Sequence, residues 1–306
     1  MKNQLKNLCP FTALVLALSL ALTACQGPNM TQSHEPDGKL QVTVSIPPQA
    51  YFVERIAGDR AAVNVMVGPG EEAHTYEPKP DQMKSLSQSQ LFFTIGIEYE
   101  QTWLPRFRDI NPDLAMIDSA QGIVRIPLSD EHAHDDEDHQ EGLDPHVWLS
   151  PANGRILAEN TFKALSDASP GNKALFQENY EGLLADIDAL DTSIQSTLQG
   201  IKSRRFMVFH PAWGYFADYY NLEQIPVQVG GQNPSASELA ELVKIAEQEK
   251  ISVIFVQPSF NTANAGAIAA EIGAQVAVVD PLAQDWLGNL QAAAQAFASA
   301  LGNENE

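Results

Sequence analysis

The stretch Asn172-Lys-Ala-Leu-Phe-Gln-Glu-Asn-Tyr-Glu-Gly-Leu-Leu-Ala-Asp-Ile-Asp-Ala-Leu-Asp-Thr-Ser-Ile-Gln-Ser-Thr-Leu-Gln-Gly-Ile-Lys-Ser203 divides the chain into two halves that read alike. Its apolar residues are Leu175, Phe176, Tyr180, Leu183, Leu184, Ile187, Leu190, Ile194, Leu198 and Ile201. They recur at three- and four-residue steps, the mark of one helix about 45 Å long. A coiled-coil partner would account for that length; a helix spanning two lobes also accounts for what flanks it.

Before this helix, strands read at 40–46, 61–67 and 91–95, with helices at 51–56, 81–89 and 98–108. After it, strands at 206–209, 225–229, 251–256 and 275–279 alternate with helices at 211–220, 263–272 and 284–301. Ser235 and Glu238 form a capping-box pattern opening a further helix to about Glu249. Such alternation implies an α/β fold of two similar lobes, each a mostly parallel sheet flanked by helices, joined by the long helix. The halves share no sequence repeat. The expected organisation is a signal segment at 1–24, a tether at 25–39, a first lobe at 40–169, the linking helix at 170–203 and a second lobe at 204–306. A long linking helix also implies limited motion of one lobe against the other.

Lys2 and Lys6 precede an apolar run over 8–22, and Leu22-Thr-Ala-Cys25 closes it. This is the pattern of an export signal, too short for a lasting membrane span. Leu-Thr-Ala-Cys resembles a bacterial lipobox, in which Cys25 is acylated and becomes the first residue. Cys9 leaves with the signal, so no thiolate site or disulfide remains and any metal site must use His and carboxylate ligands. The net charge of -21 includes both signal lysines and no acid from that segment, so the exported part carries -23. That field repels nucleic acid and anionic lipid and concentrates cations.

Four metal-competent side chains, His74, His146, His210 and Asp280, lie 72, 64 and 70 residues apart, and only a fold could bring them together. His210 follows a strand and precedes Pro211, at the strand end where open α/β sheets bind ligands; alone, it reads as well as a turn-capping histidine. Asp280, before Pro281, repeats that geometry, and alone reads as a helix N-cap. His146 lies in Asp144-Pro-His-Val-Trp-Leu-Ser-Pro151, where Ser150 and Pro151 open a helix, and His74 lies in a Gly- and Pro-rich loop over 68–78. Each lobe thus offers two candidates, and the cleft between them is the natural site. Three imidazoles and a carboxylate suit a borderline-soft divalent cation such as zinc.

His74-Thr-Tyr-Glu-Pro78, Asp144-Pro-His-Val-Trp-Leu-Ser-Pro151, His210-Pro-Ala-Trp-Gly-Tyr-Phe216 and Val278-Val-Asp-Pro281 resemble, in order, the motifs of the solute-binding proteins of bacterial zinc and manganese ABC importers, the cluster A-I family. The resemblance covers roughly residues 40–301. It implies that His74, His146, His210 and Asp280 are the ligands, one pair per lobe. It implies capture of extracytoplasmic Zn2+ by a lipid-anchored monomer, in the periplasm or at the cell surface, for delivery to an inner-membrane ABC permease and its ATPase. Manganese-favouring members commonly place a carboxylate where His210 stands, and oxygen ligands suit that harder ion, so zinc is expected ahead of Mn2+. Zinc-specific relatives often carry an acid just before the first histidine, where this chain has Ala73.

Residues 130–141 hold three histidines, His132, His134 and His139, and seven acids. Nothing there can build a core, so a solvated surface loop is the plain reading. The resemblance implies an auxiliary loop holding zinc weakly. A lipid-anchored metallohydrolase would need an open coordination position and a base. The chain has no His-Glu-x-x-His, Gly-x-Ser-x-Gly or phosphate loop, and Glu77 and Asp144 read better as structural or supporting carboxylates than as bases. No enzymatic role is expected. An adhesin role, described for lipid-anchored relatives, finds no separate module here. Tyr51, Trp148, Trp213 and Trp286 read as packing residues.

Overall fold

Two four-stranded sheets with the same strand order carry the molecule. The computed structural model describes residues 38–128, 142–228, 232–259 and 262–302. In the first sheet β1 (Leu40–Val44), β2 (Ala61–Val65), β3 (Leu91–Thr94) and β4 (Ala115–Asp118) lie in the order β2-β1-β3-β4, all parallel. In the second, β5 (Arg205–Val208), β6 (Glu223–Pro226), β7 (Val253–Val256) and β8 (Gln275–Val278) lie in the order β6-β5-β7-β8, again parallel. The inner strands are nearly continuous apolar runs because helices cover both faces: Val42, Val44, Phe92 and Phe93 in one sheet, Phe206, Met207, Ile254 and Phe255 in the other, are all buried. Pro226 is accommodated because β6 is an edge strand. The repeat absent from the sequence is thus present in the topology.

The helices are α1 (Pro47–Ala57), α2 (Pro80–Leu86), α3 (Glu98–Ile110), α4 (Pro151–Ala168), α5 (Lys173–Thr197), α6 (Gly214–Tyr219), α7 (Ala236–Glu249), α8 (Thr262–Ile272) and α9 (Trp286–Gly302). Pro47 and Pro48 open α1 at its first turn, where a missing N–H costs nothing, so the helix begins four residues before the reading placed it. The linking helix α5 has 25 residues and is about 37 Å long, shorter than the periodicity alone implied. It stops at Thr197, and Gly200 follows in a left-handed conformation (φ 82°) that turns the chain toward β5. Phe176, Leu183, Ile187, Leu190 and Ile194 form its buried stripe, which packs on α1, α4 and α9.

One core runs from the first sheet through α4 and α5 to α9 and takes in Phe206, Trp213 and Phe255 of the second lobe; a smaller one lies under α7 and α8. Trp286, the first residue of α9, packs against Phe52 of α1 with ring centroids 5.0 Å apart. Gly154 of α4 makes room for it: a Cβ there would lie 2.3 Å from the Trp286 ring. Trp148 and Trp213 are likewise buried. The signal segment 1–24, Cys25, the tether through residue 37 and His132, His134 and His139 lie outside the described residues. Among the described residues, no helix is long and apolar enough to cross a membrane.

Candidate metal site

Chain exits at the carboxyl ends of both sheets build the site. The loop after β2 carries His74, the segment before α4 carries His146, and His210 stands two residues beyond the end of β5. The three rings face one another with centroids 5.2 Å (His74–His146), 5.1 Å (His74–His210) and 5.2 Å (His146–His210) apart. One ligating atom from each lies within 4.8 Å of the others, and among the described residues this is the one set of three or more such side chains so placed. The Nε2 atoms of His146 and His210 are 3.3 Å apart.

Carboxylates hold two of the rings from behind. Asp144 Oδ1 accepts the backbone N–H of His146 at 2.8 Å and lies 2.8 Å from its Nδ1. An Nδ1–H given to a carboxylate leaves the Nε2 lone pair free to face an ion. Asp144 is itself enclosed. Among the described residues its Oδ2 is buried without a hydrogen-bond partner, its carbonyl accepts the Tyr215 hydroxyl at 3.0 Å, and a Cβ on Gly214 would lie 2.3 Å from Oδ2. A side chain at 214 would therefore push the orienting carboxylate away from His146. On the other side, His74 Nδ1 lies 2.5 Å from Glu98 Oε2. Glu98 is the first residue of α3, just beyond β3.

Burial and mutual repulsion govern the charges. Desolvation pushes His146 and His210 well below the ordinary imidazole value, and repulsion from neighbouring rings adds to it. Desolvation likewise carries Asp144 up to about 7 against the pull of the His146 N–H and Arg125. His74 differs: burial would lower it, but the Glu98 hydrogen bond and charge, with help from Glu72 and Asp144, raise it. Desolvation thus holds His146 and His210 toward the neutral form, the one in which histidine binds metal.

Asp280 sits apart from the three-histidine set. Its Oδ1 accepts the N–H of Leu282 at 2.9 Å, and burial raises its carboxyl despite that bond. Its loop is nevertheless tied to the His146 segment: Trp148 Nε1 donates to the carbonyl of Pro281 at 2.7 Å, and Trp286 Nε1 to the carbonyl of Trp148 at 2.6 Å. Glu77 is exposed and has no part in the cluster.

The model of the ZnuA family, zinc-uptake complex component A periplasmic, matches residues 42–300. The chain belongs to the ZnuA family. A crystal structure of ZnuA is 42% identical to it and superposes with a TM-score of 0.79, covering 86% of this chain and 99% of that one. The zinc-binding lipoprotein AdcA of Streptococcus pneumoniae is 30% identical over 272 residues, 86% of this chain and 53% of AdcA, so the chain spans about half the length of that relative. The manganese-binding lipoprotein MntA of Halalkalibacterium halodurans is 24% identical over 277 residues, 89% of this chain and 88% of MntA. The ZnuA-family fold of two parallel sheets with a long helix between them is the one described above. Glu98, the carboxylate behind His74, was read from sequence only as the start of a helix. An acid at the first position of a helix that leaves the sheet beside a candidate ligand loop is the signal that marks it.

Proposed function

We propose that this chain is the metal-binding receptor of an ABC importer, capturing extracytoplasmic Zn2+ between its lobes and delivering it to an inner-membrane permease and its ATPase. The observation that carries the reading is the near-equilateral triangle of His74, His146 and His210, drawn from three separate chain exits. His74 and His146 come from the first lobe and His210 from the second, with Asp280 proposed as fourth ligand from the loop that Trp148 ties to the site. Desolvation holds the His146 and His210 rings toward the neutral form, and three nitrogens favour zinc over manganese. None of these side chains is proposed to be catalytic. Acylation of Cys25 as the membrane anchor, a monomeric state, and weak, reversible zinc binding by His132, His134 and His139 belong to the same proposal.

The deciding experiment is a chelator-competition titration of purified, metal-stripped protein with zinc, run beside manganese. One tight zinc per chain, lost in His210→Ala, is expected. Several weak zincs unaffected by that substitution would defeat the ligand assignment. Tighter manganese than zinc would transfer the same role to the other ion.

A further inference from the structure

His74 and His146 enter the site from unrelated loops, yet each meets a carboxylate at the same ring nitrogen, Nδ1. For His146 that carboxylate is local, two residues away in the same segment. For His74 it is remote, coming from Glu98, 24 residues on and at the exit of another strand. The loop around His74 is otherwise held by bonds that leave the imidazole alone. Glu71 accepts the N–H of Gly68 at 2.7 Å and pairs with Lys79, Tyr76 donates to Gln82, and the backbone N–H of His74 reaches Glu72. Among the described residues, Glu98 is the hydrogen-bond partner of the ring itself.

Glu98 is also well placed to act as an acceptor. It occupies the first turn of the 13-residue α3, where the helix dipole favours a negative charge. Its side chain is 57% exposed, whereas that of Asp144 is 1% exposed. It stands outside the set of mutually close ligand atoms, so its contact is with the ring and not with the ion's position.

We infer that Glu98 is a positioning residue for metal capture: by accepting a hydrogen bond from the Nδ1–H of His74 it fixes the tautomer and orientation in which Nε2 is offered to the ion. The inference rests on the zinc-capture reading above. A partner of this kind typically contributes ten- to a hundredfold in metal affinity. Without it, the ring, whose side chain is 23% exposed, is free to rotate and to sample the wrong tautomer, and part of the binding energy goes to selecting one.

The test compares the unaltered protein with Glu98→Ala and Glu98→Gln, measuring zinc affinity by chelator competition. The 15N spectrum of the histidine rings in the zinc-loaded protein is recorded for each. Glu98→Ala should bind zinc at least about tenfold more weakly and show His74 Nδ1 and Nε2 resonances shifted from those of the unaltered protein. Glu98→Gln keeps an oxygen acceptor and should recover most of the affinity and the original resonances. Zinc affinity of Glu98→Ala within twofold of the unaltered protein, or a loss with the His74 resonances unmoved, would overturn the inference. If the unaltered protein itself fails to hold one zinc tightly, the capture reading falls, and this inference falls with it.

Discussion

Of the three clustered histidines, His74 is the one on which protons and a bound metal would compete first. Burial keeps His146 and His210 neutral well below the ordinary imidazole value, whereas Glu98 raises His74 above it. A raised value means that the proton is bound below it and must be displaced for a metal to bind. On acidification from pH 7, the logarithm of zinc affinity should therefore fall by about one per pH unit between roughly 6.5 and 5.5. Titrations at several pH values will check this, and a slope near three would mean that all three rings take up protons together. At this scale the sequence was readable where chemistry and punctuation coincide: a histidine at a strand exit beside proline. It was silent on Glu98, because the contact depends on which strand lies beside which. It was equally silent on the opposite displacements of His74 and His146, which arise from burial and neighbours that no local pattern encodes.

Helices and strands were legible in proportion to the length of their periodic signal. The reading of α7 agrees at both ends because Ser235 accepts the Glu238 N–H and Glu238 bonds back to the Ser235 N–H. β4 was not read, being four residues without alternation whose identity comes from pairing with β3. At Gly154 two element-scale effects oppose each other. Gly154→Ala gains at most about 1 kcal/mol of helix propensity. It also sets a methyl 2.3 Å from the Trp286 ring, and overpacking of this kind costs about 1–3 kcal/mol. The clash should win, because Trp286 is buried and its indole N–H is committed to the Trp148 carbonyl. Thermal unfolding should show a melting temperature lowered by a few degrees; a rise would mean that α9 slides on α4 without penalty.

Across the whole molecule, the ties between lobes lie behind the histidines and beside them. Tyr215 reaches the carbonyl of Asp144, Trp148 that of Pro281, Tyr220 the carboxylate of Asp191 on α5 at 2.8 Å, and Gln284 the carboxylate of Glu54. With α5 packed along its length, these contacts oppose wide opening. Solution scattering of metal-free and zinc-loaded protein should give radii of gyration within about 1 Å of each other, whereas a hinge of the wide-opening kind would exceed that. Under the proposed function, release of the ion would then call for an outside push. The two-lobe plan was visible in the sequence, because one long periodic segment separates two runs of alternation. The shared core was not, because which helix closes which lobe depends on packing at long range.

That shared core bears on how the protein is made. The first half is complete only when Trp286 has lodged against Phe52 and Gly154, so its last structural piece is encoded beyond the whole of the second sheet. A nascent chain of this protein cannot finish its first lobe until α9, which follows the second sheet, has been made. A truncation just after β8 that spares every histidine would still leave that lobe unsealed.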